Sequence, residues 1–165
     1  MLTAKVMLLG DTGVGKSSLA ERLVFDRFDA DYKTTLGVNV VTHDVAVEGK
    51  PVRLVLWDTD GEFGQQIFDM VYIVGASAAC VIADASRPAT MVKMAELAST
   101  FAERLPGRPV RALVNKIDLA EPTEAEIAEL GLPHGDIVFT SAKTGVGVNA
   151  AFEALAMILL RRQRG

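Results

Sequence analysis

The run Gly10-Asp-Thr-Gly-Val-Gly-Lys16-Ser17 follows the apolar segment Val6 to Leu9 and precedes the helix-like stretch Ser18 to Phe25. In a Gly-x-x-x-x-Gly-Lys-Ser turn the backbone N–H groups can point inward at one cluster of oxyanions, and the positive end of the following helix favours negative charge there. Gly13, Val14, Gly15, Lys16, Ser17 and Ser18 are therefore candidate phosphate-binding residues. Lys16 supplies a cation for the outer phosphates, and the Ser17 hydroxyl is a hard oxygen ligand suited to magnesium. A glycine turn that merely capped a helix would not need Lys16 and Ser17 in that order behind a strand. A dinucleotide fingerprint fits worse, because Ser18 stands where its third glycine belongs.

Three further apolar runs end in polar residues. Asp58 follows one, Asn115-Lys116-Ile117-Asp118 a second, and Thr140-Ser141-Ala142-Lys143 a third. A carboxylate at Asp118 can accept hydrogen bonds from both the amino and the imino group of guanine, whereas adenine presents no such donor pair. Alone, Asn-Lys-x-Asp is a common loop tetrapeptide. Joined to the phosphate turn and to Ser-Ala-Lys after the next run, it selects the base. An ATP-using kinase or motor would share the turn at Gly10 to Ser17 but would give no reason for Asn115, Asp118 and Ser141 to Lys143.

The elements that must position these residues alternate between short apolar runs and amphipathic stretches, the pattern of an α/β fold with helices on both faces of a mostly parallel sheet. Val38 to Val47 and Pro51 to Trp57 are extended and β-branched, and Glu48-Gly49-Lys50 between them predicts a hairpin and hence one antiparallel strand. Ala78 to Ala83, Val110 to Val114 and Ile137 to Thr140 complete six strands. Helices are predicted over Thr90 to Leu105, Thr123 to Leu130 and from after Gly147, the last with Val148, Phe152, Leu155 and Leu159 toward the sheet. In such an open sheet a ligand lies across the carboxyl ends of the strands.

With 165 residues, half of them hydrophobic, the chain fits one domain, residues 1 to 165. A net charge of −4 with interspersed signs argues against a nucleic-acid surface, and Arg161-Arg162-Gln163-Arg164 reads as a solvated helix end. Cys80 is the single cysteine, which excludes an internal disulfide and points to a reducing, cytoplasmic setting. No signal peptide or membrane-spanning run is visible. His43 and His134 read as surface or loop residues.

Taken together, the chain resembles a small guanine-nucleotide-binding protein of the Ras superfamily, most similar to its Rab-like branch, over essentially its whole length. The residues carrying the likeness are Gly10 to Ser17, Tyr32-Lys-Thr-Thr35-Leu-Gly-Val38, Trp57-Asp-Thr-Asp-Gly61, Asn115 to Asp118 and Ser141 to Lys143. The resemblance implies a P-loop GTPase domain that binds GTP or GDP with Mg2+, hydrolyses GTP and acts as a monomeric molecular switch. It implies Ser17 and Thr35 as magnesium ligands with Asp58 behind a water, Phe28 and the stem of Lys116 against the guanine, the Gly61 amide on the terminal phosphate and the Ala142 amide on the guanine carbonyl. Loss of that phosphate would release Thr35 and Gly61 together, so partners read the state through residues 30–40 and 58–74. Effectors, activating factors and exchange factors are the implied partners.

The chain also departs from the family. Thr59-Asp60-Gly61-Glu62-Phe63 stands where Thr-Ala-Gly-Gln-Glu is usual in the family, so the residue that the resemblance expects to orient the attacking water is Glu62. An ionised carboxylate accepts from water but cannot donate to a phosphate oxygen, whereas a carboxyl kept protonated by repulsion from the phosphates could share its proton with the water. With no evident arginine finger in the chain, Lys16, Thr35, Gly61 and Glu62 carry an expectation of slow unaided hydrolysis; the competing reading is a non-hydrolysing guanine-nucleotide-binding module. Gln65 and Gln66 read as solvated. Thr12 replaces a glycine or serine and would crowd an arginine delivered by a partner. Trp57 and Tyr72 match two members of an effector-facing aromatic trio whose third position is Val40, although Trp57 reads equally as a core aromatic. The chain ends at Gly165 without the long tail and terminal cysteines of eukaryotic relatives, so no membrane anchor is evident: either the natural protein has none or it extends further.

Overall fold

A computed structural model describes residues 1–29, 38–59, 73–132 and 136–164. The described strands are β1 (Leu2–Gly10), β2 (Val38–Val47), β3 (Lys50–Thr59), β4 (Ala78–Asp84), β5 (Val110–Asn115) and β6 (Ile137–Phe139), and the described helices are α1 (Lys16–Phe25), α2 (Pro88–Arg104), α3 (Glu124–Glu129) and α4 (Val148–Arg164). One sheet orders the strands β2-β3-β1-β4-β5-β6. Every neighbouring pair is parallel except β2 with β3. The mostly parallel α/β sheet with one antiparallel strand therefore stands as expected.

The hairpin is tighter than its sequence implied. Glu48 and Gly49 both take positive φ, 51° and 75°, and Lys50 is already paired with Val47. A two-residue turn with both centres left-handed matches the twist of the strands it joins. Pro51 lies just outside the pairing of β3 with β1, which begins at Leu2 opposite Val52, so its missing N–H costs that ladder nothing.

Each face of the sheet is covered. On one side Leu19 and Leu23 of α1 join Val148, Phe152, Leu155 and Leu159 of α4. On the other, Met91, Met94, Leu97 and Phe101 of α2 and Ile127 of α3 pack on Met7, Val81 and Val114. β4 is buried along its whole length, as a strand covered on both faces must be. Within it the Cys80 thiol is pushed up to about 12, by burial first, so it is held as an inert thiol.

Helix ends explain the shifted boundaries. α3 closes its own start with a capping box, Thr123 accepting from the Glu126 amide and Glu126 accepting from the Thr123 amide, both at 3.1 Å. α2 begins at Pro88 rather than Thr90: proline fits the first helical position, and the Thr90 hydroxyl is engaged with the Arg87 carbonyl at 2.8 Å inside the first turn. Before α4, Gly147 has φ 74°, and a methyl group there would collide with the Phe139 carbonyl. Gly147→Ala is expected to cost roughly 2 kcal/mol or more, read as a lower denaturant midpoint with an unchanged m-value.

Candidate functional site

β1 lies mid-sheet and delivers the phosphate loop at its carboxyl end. Gly10 packs so closely on β4 that a Cβ there would lie 2.6 Å from the Ile82 carbonyl oxygen. Gly13 and Gly15 take φ of 78° and 102°, which only glycine adopts without strain. Gly15 caps α1 with no side-chain hydrogen bond, in contrast to the closed start of α3. Gly15 itself thus brings no side-chain acceptor to the start of α1 to compete with an anion.

Lys16 is 5 % exposed, and its Nζ donates to the Gly10 and Asp11 carbonyls at 3.0 and 3.1 Å, which folds the ammonium back over the loop. The Ser17 hydroxyl donates to Asp58 Oδ2. Asp58 is the penultimate residue of β3 rather than a residue following it, and it is buried. A hydroxyl and a carboxylate in contact form an all-oxygen donor pair that fits a hard divalent ion sharing its shell with phosphate and water. Among the described residues no cluster of three His, Cys, Asp or Glu side chains could hold a metal by protein ligands alone.

Asn115 joins three loops from a position 1 % exposed. Its Nδ2 donates to the Val14 carbonyl at 3.0 Å, and its Oδ1 accepts from Thr140 Oγ1 and from the Ala142 amide, both at 3.1 Å. Next to it Lys116, at φ 65°, sends Nζ to the Gly13 carbonyl at 2.7 Å. Ser141 Oγ donates to Asp118 Oδ1 at 2.8 Å and so fixes the carboxylate that would read a base. The Ala142 amide, expected on the guanine carbonyl, is engaged with Asn115 here.

Between these groups lies a cleft of about 330 Å³ lined by Gly15, Phe28, Asn115, Lys116, Asp118 and Lys143, among others. Gly13, Ser18 and Ala142 also border it, so most of the expected nucleotide-binding residues meet at one place. Val14 and Lys16 are buried in the adjoining loop. Thr35, Gly61 and Glu62 lie outside the described residues, as do Tyr32, Asp60, Gln65, Gln66, Tyr72 and His134. Trp57 is half-buried with the Lys5 ammonium 3.9 Å over its ring, and directly across the strand pair from it stands Val40, 45 % exposed. His43 sits half-buried on β2, where burial lowers its pKa.

Three residues of the site escaped the sequence analysis. Arg22 of α1 donates from Nε to the Ala142 carbonyl at 2.8 Å and from Nη2 to the Lys143 carbonyl at 2.6 Å, tying the base-side loop to the helix that follows the phosphate loop. Asp84 ends β4, a strand buried along its whole length, and belongs to no recognisable motif. Its Oδ2 is paired with Lys116 Nζ at 2.9 Å and with Arg87 Nε at 3.0 Å. Burial is the largest influence on Asp84 and opposes its ionisation, but hydrogen bonds from Ser86, Lys116 and Arg87 outweigh it and hold the carboxyl at about 2. The group is therefore a carboxylate throughout the neutral range, and both cations remain paired to it.

The Ras family model matches residues 5–161. The chain is 32 % identical to the Ypt/Rab-type GTPase YPT7 of Saccharomyces cerevisiae, over 97 % of this chain and 83 % of that one. It is 33 % identical to the Ras-related protein SEC4 of the same yeast, over 94 % and 74 %. The Ras-related protein Rab5A of Oryza sativa subsp. japonica is 32 % identical, over 98 % and 82 %.

Proposed function

Since the chain belongs to the Ras family, we propose that its cleft holds GDP or GTP, with the phosphates on the Gly10 to Ser17 loop and the guanine between Phe28 and Lys116. It is a Rab-like GTPase, converting GTP to GDP and phosphate. The observation that carries the site assignment is the Asn115 junction, which brings the phosphate loop, Asp118 and the Ser141 to Lys143 loop around one cleft. Competition binding tests the base: GTP and GDP displace a labelled guanine nucleotide, and ATP at the same concentration does not. Displacement by ATP would sink the assignment.

Ser17 and Thr35, with Asp58, would hold Mg2+, which neutralises charge on the phosphate oxygens when bound. Lys16 leaves its loop carbonyls to meet the outer phosphates. Glu62 orients the attacking water less well than a glutamine, because its carboxylate cannot donate to the phosphate and is repelled by it. Unaided hydrolysis is accordingly slow. In single-turnover assays Glu62→Gln is expected to raise the rate roughly 10-fold, and Glu62→Ala to lower it. Equal rates in all three chains would remove Glu62 from the mechanism, and no phosphate release from any would favour the non-hydrolysing module.

The same reading gives a single GTP-binding domain that works as a cytoplasmic monomer and shows its state to effectors and to activating and exchange factors through residues 30–40 and 58–74. The exposed Val40 beside Trp57 on β2 and β3 supports an apolar contact there. Among the described residues no helix is long and apolar enough to cross a membrane.

A further inference from the structure

Four consecutive peptide units of the phosphate loop, from Thr12 to Gly15, have their carbonyls held by residues beyond the loop. The Gly15 carbonyl accepts from the Leu19 amide at 2.8 Å, the Val14 carbonyl from Asn115, and the Gly13 carbonyl from Lys116. The Thr12 carbonyl accepts from Arg87 Nη2 at 2.9 Å. In a planar trans peptide the C=O and the next residue's N–H point in opposite directions. Holding these carbonyls outward therefore turns the amides of Gly13, Val14, Gly15 and Lys16 into the loop, where an anion would lie.

Arg87 holds the first of these peptides, and it does so with a second anchor. Its Nε is fixed on Asp84 Oδ2, while Asp84 Oδ1 accepts from the Ser86 amide and hydroxyl at 2.9 and 2.6 Å. The same Asp84 Oδ2 holds Lys116, whose Nζ grips the next carbonyl of the loop. One buried carboxylate thus sends two cations to consecutive loop carbonyls. The Arg87 head sits at the loop rim, its Nη2 3.3 Å from where a Gly13 Cβ would be.

We propose that Arg87 is a positioning residue of the nucleotide site: bridging Asp84 and the Thr12 carbonyl, it aims the Gly13 amide at the phosphate chain and so sets how long a nucleoside diphosphate stays bound. This rests on the guanine-nucleotide reading. Arginine is required rather than any cation, because Nε and Nη2 serve the two acceptors from fixed positions on one plane, which a single ammonium cannot reproduce. Arg87 is 45 % exposed, so replacing it leaves the core intact.

The test compares the native chain with Arg87→Met and Arg87→Lys, each loaded with fluorescent GDP and Mg2+ and chased with excess GDP, alongside the phosphorus NMR spectrum of bound GDP. Both variants are expected to release GDP about 10-fold faster, with a displaced β-phosphorus resonance. Unchanged release and an unchanged spectrum in Arg87→Met would overturn the proposal, and so would full rescue by Arg87→Lys, which would reduce the effect to charge alone. Absence of GDP binding by the native chain would overturn the nucleotide reading together with this one; native binding with unaltered variants overturns this one only.

Discussion

Replacing Asn115 with alanine is expected to loosen the fold and the nucleotide together. The side chain is buried, and its hydrogen bonds reach the Val14 carbonyl, the Thr140 hydroxyl and the Ala142 amide. Truncation strands those groups away from water, which costs about 2 to 4 kcal/mol. Denaturant titration of the nucleotide-free chain should show that loss directly. Release of GDP should accelerate by roughly 100-fold or more, since the phosphate side and the base side of the cleft lose their common tie. Asn115→Asp separates the two halves of the effect: it keeps an acceptor for Thr140 and Ala142 but turns a carboxylate oxygen on the Val14 carbonyl. That variant should retain more stability than the alanine form and still release GDP fast. An alanine variant with native stability and native release would show that Asn115 does not join the loops.

Exchanging Asp118 for asparagine should change which base is held. A carboxylate offers only acceptors, and Ser141 fixes its orientation at 2.8 Å. Guanine bound as proposed would turn two donors toward it; an amide would meet one of them with its own N–H group. Where a site is built to match a substrate's hydrogen bonds, a mismatch of this kind costs on the order of 10⁴-fold. Xanthine carries a carbonyl in place of the 2-amino group and matches the amide instead. Competition of GDP and xanthosine diphosphate against a labelled guanine nucleotide reads the exchange. A variant that still preferred GDP would remove Asp118 from base selection and leave the specificity to the backbone of the Ser141 to Lys143 loop.

How much of this was legible in the chain depended on the distance between partners. Gly10 to Ser17 could be read because a phosphate turn tolerates few residue types and keeps its donors within one local run. Asn115 to Asp118 and Ser141 to Lys143 could be read because strand ends in a parallel sheet face one crevice. Asp84 obeys the same strand-end rule but stands in no motif, so nothing in the chain singled it out. Arg22 and Arg87 were out of reach for a different reason: their acceptors are 120 and 75 positions away, and only the folded sheet sets those distances. Glu62, on which the expectation of slow hydrolysis rests, lies outside the described residues.

The strand order also fixes when the site comes into being as the chain is made. β1 is made before the other described strands yet occupies the middle of the sheet, waiting for β3 on one side and β4 on the other. The carbonyls of Gly13 and Val14 wait longer, for partners 103 and 101 residues downstream. Contacts of such separation form late in folding, after the entropy of closing the intervening chain has been met. A nascent chain carrying a complete Gly10 to Ser17 sequence therefore does not yet hold the arrangement proposed to receive a nucleotide. That arrangement is complete only once Thr140 and Ala142 have been made and have closed on Asn115, so a nucleotide held in the proposed cleft would mark a chain whose sheet has formed as far as β6.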